Sequence, residues 1–375
     1  MSPLELLFDL VFVLALTQCT ALMAHVPTVE GVAQAMLVLS VLWWSWIGYS
    51  WLTSVVDPES GLVRLVVFVA MAAFLVAALC VPGAFGDAAL TFAVAFAVTR
   101  LMHVVLFTLA SRDDAALRSS VLSLAISTAV GSGLLLAAAA ADDLTQALLW
   151  VAALVIDLGG PYLFGADGWQ LVPEHFAERY GLIVLIALGE SVVAIGAGVV
   201  PGRHGGLDAE VVLAAVVATA LVVALWWLYF DVVALVAARR LEHTTPGRER
   251  NEVARDAFSY LHLPMVAGIA LVAFGLKKTL GHVEDGLATV PALALLGGTS
   301  LYLLATVAFR LRNVRRLSLQ RLLVALLLLA LAPVATDVPA LAAEVGVTLL
   351  LCALVAFETI RFADLRARLL EPHEH

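Results

Sequence analysis

Apolar residues in this chain run in long stretches, and polar ones gather in the short segments between them. Twelve such stretches stand out, over residues 4–26, 31–54, 62–84, 88–110, 119–141, 146–165, 175–200, 208–238, 256–276, 287–309, 319–336 and 341–361. A hydrocarbon core about 30 Å thick takes roughly 20 apolar residues in a helix rising about 1.5 Å per residue. The stretches fit that length and lack the ten-residue alternation of a transmembrane β-barrel. The pattern therefore predicts an all-α polytopic integral membrane protein with about twelve transmembrane helices. Most connections are too short to hold a soluble domain. The long one, residues 239–256, carries Pro246 and Gly247 and reads as a polar linker.

Charge placement orients the spans. Of the 21 Lys and Arg residues, 17 fall at or near the N-terminus, the even-numbered loops and the C-terminal segment, 3 fall in the odd-numbered loops, and Arg100 lies inside a span. Basic residues mark the cytoplasmic side, so both termini are expected there, in a bacterial inner membrane. The acids cluster in loops on both sides, so the net charge of −9 identifies no acidic or basic partner.

Composition agrees. Hydrophobic residues make up 62% of the 375 and charged ones 14%, whereas soluble domains sit near half and a quarter. A cleaved signal peptide is not expected, because acids stand where a basic leader region belongs. The run Leu16-Thr17-Gln18-Cys19 has Gln where a lipoprotein cleavage box needs a small residue. The three cysteines, Cys19, Cys80 and Cys352, all fall in spans without metal-ligand spacing and read as small apolar fillers.

The chain also reads as two pseudo-repeated six-helix halves, 1–166 and 174–364, followed by a cytoplasmic tail over 365–375. Span 1 has Glu5, Phe8 and Ala15-Leu16-Thr17-Gln18, and span 7 has Glu178, Tyr180 and Ala187-Leu188-Gly189-Glu190. The second span of each half carries Leu-Trp-Trp, at Leu42-Trp43-Trp44 and Leu225-Trp226-Trp227. Six spans per half give both halves the same topology, related by an axis along the membrane normal.

Polar and ionisable residues inside the spans are the candidate chemistry. Gln18 and Glu190 fall near mid-depth at equivalent repeat positions, with Arg100, His103 and Asp157 at similar depth. Glu5, Asp9, Glu178, Arg179, Asp231 and His262 lie within one to three turns of the expected cytoplasmic face. A charge at a helix centre costs on the order of 3 kcal/mol, so Arg100 must find an acid, either Glu190 or Asp157. Glu5 and Asp9, at i and i+4, share a helix face and repel. They call for a cation, with Arg179 or a basic loop side chain as candidates. Adjacent Glu178 and Arg179 point about 100° apart and answer different helices. His262, with Pro264 after it, is read as a packed core histidine or a pH-sensitive gate. The run Trp43, Trp44, Trp46, Tyr49, Trp51 suits an interfacial aromatic belt or an aromatic wall around a substrate. Gly189, Gly196 and Gly198 suggest a smooth face for close helix packing.

Three blocks carry a family resemblance: Pro3-Leu4-Glu5-Leu6-Leu7-Phe8-Asp9-Leu10-Val11-Phe12-Val13, His175-Phe176-Ala177-Glu178-Arg179-Tyr180-Gly181-Leu182 running on to Leu188-Gly189-Glu190-Ser191, and Ser259-Tyr260-Leu261-His262-Leu263-Pro264. With them the chain resembles, from end to end, the bacterial low-temperature-requirement protein A family. That resemblance implies an integral membrane protein associated with growth in the cold, without an agreed biochemical activity. The segment from Phe8 to Thr17 is also similar to the first-helix motif of potassium channels built from six-span repeats. It lacks the Ser between Phe and Asp, a departure that weighs against channel activity.

Walker, HExxH, GxSxG and Rossmann motifs are absent from the sequence. No cofactor, metal or nucleic acid is expected. The expected partners are membrane lipids and a small ion or small-molecule substrate. The favoured reading is an ion-coupled transporter or channel, preferably proton-coupled, with a central polar site. A membrane-embedded enzyme acting on a lipid or isoprenoid, and a membrane scaffold, are the alternatives.

Overall fold

The computed structural model describes residues 2–56, 60–163, 168–199, 207–363 and 366–367, and these residues are helical throughout, with no strand among them. Helices α1 (Pro3–His25), α2 (Val29–Leu52), α3 (Gly61–Leu79), α4 (Ala89–Ala110), α5 (Ala115–Ala138), α6 (Asp143–Leu163) and α7 (Pro173–Gly198) follow the first seven predicted spans. The eighth is α8 (Ala209–Phe230), continued after a turn by α9 (Val233–Glu242). Then come α10 (Arg248–Val253), a π-helical segment (Ala254–Tyr260), α11 (His262–Gly281), α12 (Thr289–Val314), α13 (Leu319–Leu331) and α14 (Ala340–Arg361). Apart from residues 366–367, the expected tail over 365–375 lies outside the described residues.

Local sequence sets the ends of these helices. Ser2 and Glu5 form a reciprocal capping box on α1: the Glu5 amide donates to Ser2 Oγ at 3.3 Å, and the Ser2 amide donates to Glu5 Oε2 at 2.9 Å. Thr28 caps α2, and Asp114 caps α5 by accepting from the amides of Ala116 and Leu117. At the far end of α12, Arg315 adopts a left-handed conformation (φ 57°) that stops the helix.

Among the described residues, eleven segments are long and apolar enough to cross a membrane. The span predicted over 319–336 is the exception. It is the 13-residue α13 followed by a 3₁₀ turn at Val334–Thr336, because Pro333 supplies no N–H to continue the ladder. The predicted linker 239–256 also differs. Helix α9 runs into it, Gly247 turns the chain at φ 98°, which favours glycine, and α10 follows at once. Arg250 donates to the carbonyls of Glu242 and Thr244, and buried Asn251 donates to the Trp169 carbonyl at 2.7 Å. These bonds fix the segment in place.

The chain packs as two compact units. One comprises Met1–Ala187 and Arg240–Leu263, the other Leu188–Arg239 and Pro264–His375. Their boundary falls inside α7, so each unit is discontinuous in sequence and neither coincides with 1–166 or 174–364. In the first unit α1 packs on α2 and α3, α3 on α4, α4 on α5, α5 on α6, and α2 on both α4 and α6. In the second, α14 packs on α8 and α13, and α13 on α12.

Close backbone approach in the second unit depends on glycine. A Cβ on Gly268 would stand 2.7 Å from the Gly298 carbonyl oxygen and 2.8 Å from the Tyr302 nitrogen. Gly198 meets the Lys277 carbonyl in the same way, whereas Gly189 and Gly196 face open space, so the expected smooth face of α7 is limited to Gly198. Gly268→Ala is expected to destabilise the protein by about 1–3 kcal/mol through overpacking. Gly297→Ala, with nothing within 4 Å of its added methyl, is expected to be neutral or slightly stabilising. Thermal unfolding of both variants in detergent checks the contrast.

Candidate functional site

Two buried arginines organise the first unit. Arg179 on α7 is fully buried, and its Nη2 donates to Asp9 Oδ1 on α1 at 2.8 Å. Its Nη1 donates to Thr53 Oγ1 at 2.8 Å and to the Tyr49 carbonyl at 3.4 Å, and stands 3.6 Å from Glu5 Oε1. Trp46 Nε1 donates to the same Asp9 oxygen at 2.7 Å, and its ring lies 5.5 Å from the Arg179 guanidinium carbon. His175 Nε2 meets Glu5 Oε2 at 3.0 Å. The like charges of Glu5 and Asp9 are thus held together by Arg179, one of the two kinds of cation the spacing called for.

The second arginine, Arg100 on α4, is 1% exposed and sits at a cavity of about 90 Å³ within the same unit, room for a handful of waters or a small organic group. Its Nη2 donates to Thr128 Oγ1 at 2.8 Å and reaches Asp157 Oδ1 on α6 at 3.4 Å. Asp157 is therefore the acid that answers Arg100. His103, one turn further along α4, is also 1% exposed and lines the cavity. It packs against Gly48, where a Cβ would come within 2.6 Å of the ring, and neither ring nitrogen makes a well-formed hydrogen bond within the protein. The walls are mostly apolar and aromatic, from Trp44, Trp51, Phe107 and Trp169, with Ser120, Ser123 and Ser127 in a line along α5.

Irregular backbone opens this cavity. Pro161 lies inside α6 and, having no N–H, leaves the carbonyl of Asp157 without its helical donor. Nearby carbonyls are answered from the π-helical segment: Tyr260 Oη donates to the Leu158 carbonyl, and Arg255 Nη1 donates to the Pro161 carbonyl at 3.1 Å. Arg255 also pairs with Asp256 at 2.8 Å and lies 4.1 Å from the Tyr162 ring centroid. Ser259, in the same segment, accepts from Trp51 Nε1 at 3.0 Å through Oγ, shares a 2.9 Å bond with Tyr180 Oη, and through its carbonyl accepts from Trp43 Nε1 at 3.0 Å. π-Helical turns of this kind recur at functional sites.

The remaining sequence candidates lie elsewhere. Gln18 is half-buried in the first unit and Glu178 is exposed. His262 is fully buried between the rings of Tyr180 and Phe258, with Nδ1 3.3 Å from the Ala257 carbonyl, in keeping with the core-histidine alternative. Glu190 and Asp231 belong to the second unit, where Glu190 is buried and Asp231 pairs with Arg366. The cluster expected at the cytoplasmic face is thus Glu5, Asp9 and Arg179, joined by His175. Trp43, Trp44 and Trp46 are buried rather than exposed in a belt, and Trp44 lines the cavity. Sequence reasoning missed the α5 serines, Arg255, Asn251 and Trp169. The signal for the serines was present, as Ser120, Ser123 and Ser127 recur at helical spacing in an otherwise apolar run. Arg255 and Asn251 were hidden in a segment that read as linker.

Arg179→Gln is expected to destabilise the protein by about 3–5 kcal/mol, because it strands two buried carboxylates. Adding Asp9→Asn should then cost much less than Asp9→Asn costs alone. A double-mutant cycle by thermal unfolding in detergent checks this, and strict additivity would show that the pair does not couple.

Comparison with known proteins agrees with the three sequence blocks. Residues 1–356 match the family described as bacterial low temperature requirement A protein (LtrA). An uncharacterized protein of Rhizobium meliloti (strain 1021), RA0937, is 33% identical over 319 residues, covering 80% of this chain and 75% of the relative. No solved structure matches. With nearly its whole length matched, this multi-helix membrane protein belongs to the bacterial low temperature requirement A family.

Proposed function

We propose that this protein is a proton-coupled transporter of a small organic anion, with the solute held in the cavity of the first unit. The observation that carries the reading is the loose seating of Arg100: a buried guanidinium at a cavity, 3.4 Å from Asp157, beside a histidine whose ring nitrogens make no well-formed hydrogen bond among the described residues. A carboxylate or similar group on the solute competes with Asp157 for Arg100, which offers a planar fork of donors. Once displaced, Asp157 is a buried charge without its cation, and binding a proton removes that cost. Solute and proton then travel together. His103, Arg255 and the α5 serines supply further polar contacts, and the aromatic walls hold an apolar body.

The 17:3 division of basic residues supports an inner-membrane setting with both termini cytoplasmic. It requires the α13 region to complete an even number of crossings. The recurrent Leu-Trp-Trp and acidic positions support an ancestral six-helix repeat. A membrane-embedded enzyme acting on a lipid or isoprenoid is the second reading, favoured by the aromatic lining of the cavity.

Proteoliposomes loaded with a pH-sensitive dye test the transport reading, under imposed H⁺, K⁺ and Na⁺ gradients and with a panel of aliphatic and aromatic carboxylates outside. At least one carboxylate class is expected to drive internal acidification. Asp157→Asn should abolish the proton movement while retaining solute binding, and Arg100→Gln should abolish both. Flux that is equal in both variants and the parent would remove the Arg100–Asp157 site from the pathway. No flux under any gradient, from protein that remains folded, would favour the lipid-active alternative.

A further inference from the structure

The second unit holds a polar pocket that the transport reading does not use. It lies where the ends of α8, α12, α13 and α14 meet, and it gathers three arginines, Arg310, Arg321 and Arg366, with two acids, Asp231 and Glu358. Both acids are already engaged. Glu358 accepts from Arg321 through Nε at 2.8 Å and Nη2 at 2.6 Å, and from Gln320 Nε2 at 3.0 Å. Asp231 pairs with Arg366, whose guanidinium carbon lies 5.3 Å from the Trp227 ring centroid. Arg310 comes no nearer to Glu358 than 3.9 Å, and among the described residues it leaves the pocket with one more cation than acids.

Among the described residues, two buried donor atoms in this pocket lack an acceptor. Arg321 is 2% exposed, yet its Nη1 lacks an acceptor, and Trp227 Nε1 likewise has none. A buried donor without an acceptor costs about 1–3 kcal/mol, and more when charged. Both unmet groups are N–H donors, so the missing partner is an acceptor, and the surplus charge of Arg310 makes it an anion. The cavity is about 40 Å³, room for a few waters and so for one compact oxyanion rather than an extended solute. Donors arriving from separate side chains suit a phosphate, which offers acceptors in several directions.

We infer that this pocket binds a phosphate group, supplied either by the headgroup of an anionic lipid or by a free phosphoanion. Arg321 Nη1 and Trp227 Nε1 donate to its oxygens, and Arg310 balances its charge. The pocket sits at helix ends beside exposed apolar side chains such as Trp226, Phe357 and Ile360, a setting that suits a headgroup phosphate at a bilayer surface.

The test uses the full-length protein purified in detergent and stripped of lipid. Three probes are added at constant ionic strength: phosphatidylglycerol, zwitterionic phosphatidylethanolamine and inorganic phosphate. Thermal unfolding reads stabilisation, and native mass spectrometry counts retained lipid. Arg321→Gln would strand Glu358 and risks misfolding. The informative variants are therefore Trp227→Phe, which keeps the ring and loses the donor, and Arg310→Gln at a partly exposed site. Stabilisation by phosphatidylglycerol but not phosphatidylethanolamine, weakened about tenfold in both variants, supports the site with a lipid headgroup as its source. Stabilisation by inorganic phosphate with the same loss in both variants supports it with a free phosphoanion. Stabilisation by none of the three, or stabilisation that both variants retain in full, overturns the proposal.

Discussion

A guanidinium buried among apolar helices has to be answered within the fold, and Arg179 imposes that constraint on the first unit. Arginine keeps its charge, so burial cannot neutralise it. Its acceptors come from Asp9 and Glu5 on α1 and from the last turn and end of α2 at Tyr49 and Thr53. Trp46 braces the same carboxylate and lies against the guanidinium. The register of α7 against α1 and α2 is fixed by these contacts, because a shift of one residue would carry Arg179 away from both acids. Glu5 also belongs to the capping box that starts α1, so the first turn of that helix and the ion network form one device.

Around that frame, two departures from regular helix adjoin the cavity. Pro161 interrupts the ladder of α6, and the π-helical segment from Ala254 to Tyr260 widens the chain ahead of α11. Irregular backbone at membrane depth is tolerated where it is buried in protein or lines a cavity. Here the carbonyls of Leu158, Pro161 and Ser259 are met by Tyr260, Arg255 and Trp43. The polar groups that repair the backbone come from the same segments that line the pocket. Ser259 shows the economy: one residue ties two tryptophans and a tyrosine from α2 and α7 while lining the cavity.

Much of this is legible in the sequence alone. Eleven of the twelve expected spans followed from hydropathy, because bilayer thickness leaves few other solutions. The need for a cation beside Glu5 and Asp9 followed from i, i+4 repulsion, and the need for an acid beside Arg100 from the cost of a buried charge. What could not be read was which of two candidates filled each role, since partner choice depends on helix packing between distant parts of the chain. Two elements misled for local reasons. The 239–256 segment is polar enough to read as a free linker, yet Asn251 and Arg255 are polar because they bond the irregular end of α6 and its neighbour Trp169. The stretch over 319–336 is apolar enough to read as a full crossing, but Pro333 divides it.

The two buried arginines differ in a way that separates framework from function. Both leave Nε unpaired, so the contrast lies in their terminal nitrogens and surroundings. Arg179 meets Asp9 at 2.8 Å, has a second acid and two further acceptors, and is braced by an indole. Arg100 has one hydroxyl at 2.8 Å and one acid at 3.4 Å, and borders open volume beside a histidine whose ring nitrogens make no well-formed hydrogen bond among the described residues. A structural ion pair gains most from close, saturated geometry, because its Coulomb and hydrogen-bond terms must offset desolvation. Arg179 satisfies that requirement. Arg100 does so only in part, and this incomplete pairing beside a cavity is what the proposed exchange of Asp157 for a solute would use. The first unit thus holds one buried cation saturated within the fold and one held loosely beside a cavity.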